Sequence, residues 1–313
     1  IDRFEKLKNE PNISVVQEAV KDIYEDIREK VIKPLTIRRT RTDLKIHELY
    51  SEDLVEQGIV FPDIEKPRKI LYQLDADLDD LYDNTMFLLS HPLEGIQYFR
   101  YQAIKFLKEP KRSKYKNAEV ASFALARLMR TLLVKRIDSS FYAFKKSLQR
   151  FTEATEMMLK MFENGRIYIA PNVNVNELLM EDKEEELINK LTNLQFTDPT
   201  ITICEPSDFE EEYLKGLKND YSLLKPLNDR WQLVEEDPKL DEFLRRLKTE
   251  LLSKSINHDK KLVVFSEAKD TTNYLKSKLD EAGIKGVLEV TSENRSKVET
   301  AVKQNFDANI PRS

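Results

Sequence analysis

Residues 118–162 read AEVASFALARLMRTLLVKRIDSSFYAFKKSLQRFTEATEMMLKMF. Apolar side chains recur in this stretch every three or four residues, a spacing that places them on one face of an α-helix. The members of this apolar stripe are Met129, Leu133, Ile137, Phe141, Phe144, Leu148 and Phe151. Most of the arginine and lysine side chains fall on the opposite side. The stretch therefore predicts a long helical region with a buried apolar face and a basic outer face.

Charge is segregated along the chain around this region. Residues 101–150 carry 13 Lys and Arg against three Asp and Glu, whereas residues 151–250 carry 12 against 23. One interpretation is that helical faces of opposite charge neutralise each other within the fold. The other is a phosphate-binding face beside an unrelated acidic insertion. Charge alone favours the first interpretation.

The last part of the chain changes character. Lys261–Ser266 is a continuous apolar run that ends in Phe-Ser, which predicts a strand buried on both faces. A helix follows as far as Gly283, Val287–Thr291 forms a second strand-like run, and a further helix ends at Phe306. This β-α-β-α order is the unit of a parallel sheet. Since two strands do not make a stable sheet, either the rest of the sheet is missing or other runs, such as Lys69–Leu74, complete it.

These patterns together predict an α-rich α/β fold with four parts. Residues 1–66 precede the first strand-like run, 67–164 hold that run and the helical region, and 236–313 hold the β-α-β unit. Residues 165–235 are interpreted as an acidic insertion of mixed structure. Within it, 166–170 and 200–204 are two β-like runs that flank an acidic segment.

Composition excludes several classes of protein. The chain has 313 residues, of which 40% are hydrophobic and 34% charged, as in globular domains. No apolar run approaches the roughly 20 residues that span a bilayer. One cysteine, Cys204, and three histidines argue against a disulfide and against a Cys/His metal cage, and they fit a reducing cytoplasm. A chain that starts at Ile1 and stops just after a helical pattern suggests a piece of something longer.

The motifs of a complete nucleotide-hydrolysing enzyme are absent from the sequence. None of the six glycines is followed by Lys-Ser or Lys-Thr, so the chain has no P-loop, and it has no Asp-Glu-x-His box for Mg²⁺. Acidic runs such as Glu184–Glu186 are typical of solvated faces rather than of a catalytic acid–base pair. We therefore expect the chain alone not to be an enzyme.

Four patches nevertheless occur in an informative order. They are Leu35–Leu44 (LTIRRTRTDL), Glu65–Leu71 (EKPRKIL) with Tyr82, Leu132–Phe141 (LLVKRIDSSF), and Lys261–Ser266 (KLVVFS) followed by Val287–Arg295. Together they resemble the bacterial branch of the Swi/Snf family of superfamily-two helicase-like ATPases. The resemblance covers most of the chain as spaced patches.

The resemblance implies a middle segment of a two-lobed motor. Residues 1–66 would end the first RecA-like lobe, and residues 236–313 would begin the second, with the strand called motif IV at Lys261–Ser266. The parent protein would be an ATP-hydrolysing translocase that uses ATP and Mg²⁺ and acts on nucleic acid, DNA in preference to RNA. The ATP-binding motifs and the arginine finger are not in this chain.

The resemblance also suggests site residues in the second lobe. Ser266, at the carboxyl end of its predicted strand, would contact a nucleic-acid phosphate, with Lys269 in support. The alternative for Ser266 is that it caps the helix that follows. The alternative for Lys269 is that its side chain is simply solvated. Arg295 matches the arginine of the family's next block, and its alternative is an ion pair with Glu299 four residues on.

Two further pairs of basic residues carry predictions. Lys135 and Arg136 would face phosphates from the basic helical face, unless they pair with Asp138 and the acidic 181–212 region. Arg38 and Arg39 would brace the junction between lobes through carboxylates rather than contact DNA. The competing hypotheses are a stand-alone helical nucleic-acid-binding protein that uses the 101–150 face and a protein-interaction scaffold with an acidic insertion.

Overall fold

The computed structural model describes residues 13–36, 40–61, 64–115, 118–169 and 202–307. These residues are mostly helical, which confirms the α-rich part of the predicted fold. The chain divides into two units, Ile1–Arg68 with Val298–Ser313, and Lys69–Lys297. The four-part division drawn from the sequence stays a prediction.

The first unit consists of helices whose described side chains are exposed or half-buried. They are α1 (Ile13–Ile27), α2 (Lys33–Leu35), α3 (Arg41–Ile46) and α4 (Glu48–Glu56), with a π-helical turn between α1 and α2. A reciprocal capping box starts α3, since the Thr40 hydroxyl accepts the Asp43 N–H and the Asp43 carboxylate accepts the Thr40 N–H. The patch Leu35–Leu44 is therefore helical from Arg41 onward.

The second unit contains the long helices. They are α5 (Ala76–Ser90), α6 (Ala118–Ser139), α7 (Phe141–Glu163), α8 (Glu211–Gln232), α9 (Pro238–Arg246) and α10 (Lys269–Glu281), and α11 (Arg295–Phe306) begins in this unit. A 3₁₀-helix at Phe99–Phe106 lies between α5 and α6. Asp75 caps α5 by accepting the Leu78 N–H at 2.8 Å.

The predicted apolar stripe forms the centre of the core. Each of its seven members is at most 3% exposed. The stripe runs across two helices rather than one, because the chain bends at Ser140, whose hydroxyl caps α7 by accepting the Ala143 N–H at 3.1 Å. Helices α6 and α7 pack against each other, and α8 covers α7 with Trp231 fully buried in the same cluster.

A smaller cluster lies at the other end of α7. Phe106, Phe162 and Tyr213 meet there over a two-stranded antiparallel pairing. In this pairing β1 (Ile167–Ile169) lies beside β2 (Thr202–Cys204). These strands confirm the β-like runs predicted at 166–170 and 200–204 for the residues that the structure describes. Cys204 is buried in this cluster as a packing residue.

The predicted strands of the C-terminal β-α-β unit are not formed. The runs at 261–266 and 287–291 are irregular, and so is the run at 69–74, although the following helices form as α10 and α11. Residues 262–266 make no backbone-to-backbone hydrogen bond with any other described residue. A strand exists only beside a hydrogen-bonded neighbour, and these runs have none among the residues that the structure describes. Phe265 is consequently 92% exposed and Val263 53% exposed.

Candidate nucleic-acid interface

A cleft of about 540 Å³ lies in the second unit, where the α6–α7 junction faces the start of α9 and residues 264–275. Lys135 and Ser266 both line it, although they come from different sequence patches. Phe243 and Phe265 supply apolar surface to its wall. The fold thus places a predicted phosphate-binding cation and hydroxyl at one surface.

Two hydrogen bonds hold the α6–α7 junction in place at the cleft. The Lys239 ammonium donates to the Asp138 carbonyl and ties the end of α6 to the start of α9. The hydroxyls of Ser139 and Thr271 lie 3.0 Å apart and tie the same junction to α10. The Ser139-Ser140 pair, singled out in the sequence for its resemblance, therefore has a structural role at this bend.

The basic face of α7 holds α10. The Asp270 carboxylate is buried 3.4 Å from the Lys146 ammonium and 3.6 Å from the Arg150 guanidinium. Beside them the Tyr142 and Tyr274 rings stack at 4.4 Å. Contact with Tyr142, and then the charge of Asp270, raises the pKa of Lys146. Part of the basic 101–150 stretch is thus neutralised within the fold, by a carboxylate that lies outside the acidic 151–250 stretch.

Replacing Asp270 by asparagine is expected to loosen α10. The change removes the charge that Lys146 and Arg150 share, and we expect the free energy of unfolding to fall by about 1–3 kcal/mol. Amide hydrogen exchange should accelerate more in α10 than in α8. The matched control is Asp280→Asn, which removes an exposed ion pair with Lys276 on the same helix. Equal effects of the two variants would contradict this role of Asp270.

A buried carboxylate organises the start of α9. Asp237 caps this helix by accepting the Leu240 N–H at 3.0 Å, and the Tyr274 hydroxyl donates to the same carboxylate. Burial raises the pKa of Asp237, and burial with the neighbouring Asp237 raises the pKa of Tyr274. Because this carboxylate is committed to a helix cap, we interpret the pair as a fixed part of the cleft wall.

The two lysines predicted to contact phosphate are both in ion pairs. The Lys135 ammonium lies 3.3 Å from the Glu267 carboxylate, and the Lys269 ammonium lies 2.6 Å from that of Glu293. Both glutamate side chains are 72% exposed. Lys135 therefore pairs with Glu267, a partner that the sequence alternative did not name. Of the acidic 181–212 region in that alternative, 181–201 lie outside the described residues.

The surroundings of Ser266 and Arg136 bear on their predicted roles as phosphate-binding residues. The Ser266 hydroxyl accepts the Ala268 N–H at 3.3 Å, which forms a local turn before α10. It does not cap the helix, because Ala268 is the residue that precedes α10 and no side chain caps its first N–H groups. Arg136 is only 4% exposed and lies inside the helical core. The Arg136 side chain is therefore too buried to contact a phosphate at the surface.

The remaining predicted residues lie elsewhere. Arg295 is exposed as the first residue of α11, and Glu299 pairs with Lys303 at 2.7 Å. Arg38 and Arg39, predicted to brace a junction between lobes, lie outside the described residues. The structure thus brings Lys135 and Ser266 to one cleft but does not place Arg295 in its lining.

Comparison of the chain with protein-family models, with curated proteins and with solved structures gives no match. Within the described ranges no group of three His, Cys, Asp or Glu is placed to hold a metal ion. In the same ranges every helix is too short or too polar to cross a membrane.

Sequence reasoning missed the acidic partners of the basic face. Asp270 and Glu267, which pair with cations of 101–150, lie beyond the acidic 151–250 stretch of the charge count, although Lys111 does pair with Asp208 of that stretch. The available signal was the position of Glu267 and Asp270 directly after the KLVVFS run. Only the packing of α10 on α7 shows that they meet the basic face.

Proposed function

We propose that this chain is part of a cytoplasmic ATP-dependent translocase of the Swi/Snf type that acts on double-stranded DNA. The observation that carries the proposal is the cleft that Lys135 and Ser266 share. A cation and a hydroxyl at one surface suit contacts to phosphate oxygens, and phosphate contacts carry no sequence information. Such contacts suit a protein that tracks along a duplex whatever its sequence.

The exposed apolar runs support a RecA-like second lobe. Phe265 and Val264 are 92% and 47% exposed, and Leu288 is 46% exposed. Burying such side chains is favourable, and further parallel strands beside these runs would bury them. In this proposal 261–266 and 287–291 become strands when the sheet is completed, with Ser266 at its carboxyl edge.

ATP and Mg²⁺ belong to the proposed parent protein. The sequence has neither a P-loop nor an Mg²⁺-binding box, and the described residues do not bring together a set of metal ligands. The residues present do not fit these groups, so we assign none of them to ATP or Mg²⁺. A helical nucleic-acid-binding or protein-interaction scaffold is the second candidate, favoured by the mostly helical architecture.

Duplex binding by the full 313-residue chain tests the proposal. We expect the chain to bind a fluorescent DNA duplex more tightly than an RNA duplex of the same sequence, without hydrolysing ATP. Lys135→Ala should weaken DNA binding and flatten the plot of log affinity against log salt by about 0.9, the value for one lost phosphate contact. Fluorescence anisotropy at several salt concentrations measures both quantities.

The matched control is Lys160→Ala. Lys160 is an exposed lysine of α7 that pairs with Glu156, much as Lys135 pairs with Glu267, but it does not line the cleft. Its replacement should leave the salt slope unchanged. The same slope for both variants would reject the cleft as the interface, and ATP hydrolysis by the pure chain would reject the motif placement.

A further inference from the structure

Charges alternate around the turn that leads into α10. Lys135 pairs with Glu267, and Lys269, two residues beyond Glu267, pairs with Glu293. All four side chains are at least 37% exposed, so the pairs lie at the surface. Each lysine predicted to meet a phosphate therefore already meets a carboxylate of the same chain.

A carboxylate and a phosphate compete for the same ammonium donors. Both are anions that accept charge-assisted hydrogen bonds from lysine, and an ammonium engaged at 2.6–3.3 Å has fewer donors left for a second anion. We propose that Glu267 and Glu293 form an acidic gate, which occupies Lys135 and Lys269 and lowers their affinity for the DNA backbone. This inference rests on the proposed function and adds self-inhibition to the same site.

The strength of the pairs suits a gate rather than a permanent closure. Exposed ion pairs contribute little to stability and are screened by salt. A duplex presents many phosphates at close spacing, so it can displace two exposed carboxylates that a single phosphate would not. The gate therefore discriminates between a polyanion and small anions.

The test compares variants of equal charge. Glu267→Gln combined with Glu293→Gln keeps the shape of both side chains and removes two negative charges. We expect roughly tenfold tighter binding of a DNA duplex at low salt, about threefold for each exposed pair, with a steeper salt dependence. The control combines Glu156→Gln with Glu281→Gln, which removes two negative charges from the exposed pairs of Lys160 and Lys278.

A double-mutant cycle separates the gate from a general charge effect. When Lys135 is replaced by alanine, Glu267→Gln should no longer tighten binding, because the cation that it would release is gone. Thermal unfolding checks that each variant is folded. Because the substituted side chains are exposed, we expect the melting temperature to stay nearly unchanged.

The outcomes distinguish the two proposals. If the wild type binds DNA and Lys135→Ala weakens it, but the gate variant binds no more tightly than the control pair, the gate is wrong and the interface stands. If Glu267→Gln tightens binding equally with and without Lys135, the gate is also wrong. If neither the wild type nor any variant binds a duplex, the proposed interface and the proposed gate are both wrong.

Discussion

Replacing Trp231 by alanine is expected to lower the free energy of unfolding by about 3–5 kcal/mol, because it empties a large site in a close-packed core. Trp231 is fully buried, and its ring centroid lies 5.1 Å from those of both Phe141 and Phe144. Its indole N–H donates to the Thr85 hydroxyl at 2.8 Å. One side chain thus joins α8 to α7 and α5. Urea unfolding followed by circular dichroism measures the loss.

Two controls bracket this result. Trp231→Phe keeps most of the ring but loses the hydrogen bond to Thr85, and it should cost about 1–2 kcal/mol. Leu233→Ala changes an apolar residue two positions away that is 81% exposed, and it should cost under about 0.5 kcal/mol. A cost for Trp231→Ala no larger than that for Leu233→Ala would contradict the packing of α8 on α7.

Replacing Asp220 by alanine is expected to cost about 2–5 kcal/mol, because it leaves buried backbone donors without an acceptor. The Asp220 side chain on α8 is only 1% exposed and accepts the N–H groups of Gln97 and Phe99, each at 2.7 Å. Between them Tyr98 has a positive φ of 59°, a conformation that curls the backbone around the carboxylate. Denaturant unfolding measures this cost, and no loss of stability would contradict the assigned contact.

The same carboxylate predicts a pH dependence. Burial raises the pKa of Asp220 to about 6, although the N–H donors oppose the rise. The folded state then holds this proton more tightly than the unfolded state, whose aspartates titrate near 4. The stability contributed by the protonated form is fully present below about pH 4, where the unfolded-state aspartate is also protonated. It is lost as the pH rises through about 6.

Asp220→Asn isolates this titration. The variant cannot ionise at position 220, so its difference in stability from the wild type reports that one group. We expect the stability of the wild type relative to the variant to fall by about 2 kcal/mol between pH 4.5 and 7.5. A difference that stays constant, or that rises with pH, would show that the folded carboxyl group does not have a raised pKa.

Local periodicity predicted the helical part of this protein well. The seven members of the stripe from Met129 to Phe151 are all buried, and the Asp75 carboxylate caps α5. Both results depend on neighbours within one or two helical turns. The bend at Ser140 was missed because the apolar spacing continues across it unchanged, and only the hydroxyl cap of α7 marks it.

A predicted strand formed only where a second segment was positioned to pair with it. Ile167–Ile169 pairs with Thr202–Cys204, whereas the more apolar run at 261–266 has no paired neighbour in the described part of the chain and is irregular. Strand propensity and hydrophobicity therefore did not decide the outcome. A strand is stabilised by hydrogen bonds to another segment, and the pattern of a single segment does not contain that information.

Helix positions, caps and the buried stripe follow from local sequence, because helical hydrogen bonds join residues only four apart. The charged contacts were decided by tertiary structure. Packing of α10 on α7 takes Asp270 to Lys146 and Arg150, and the position of α8 takes Asp220 to the backbone at Gln97. These partners are more than 100 residues apart, and they meet because burial of apolar faces fixes how the helices pack.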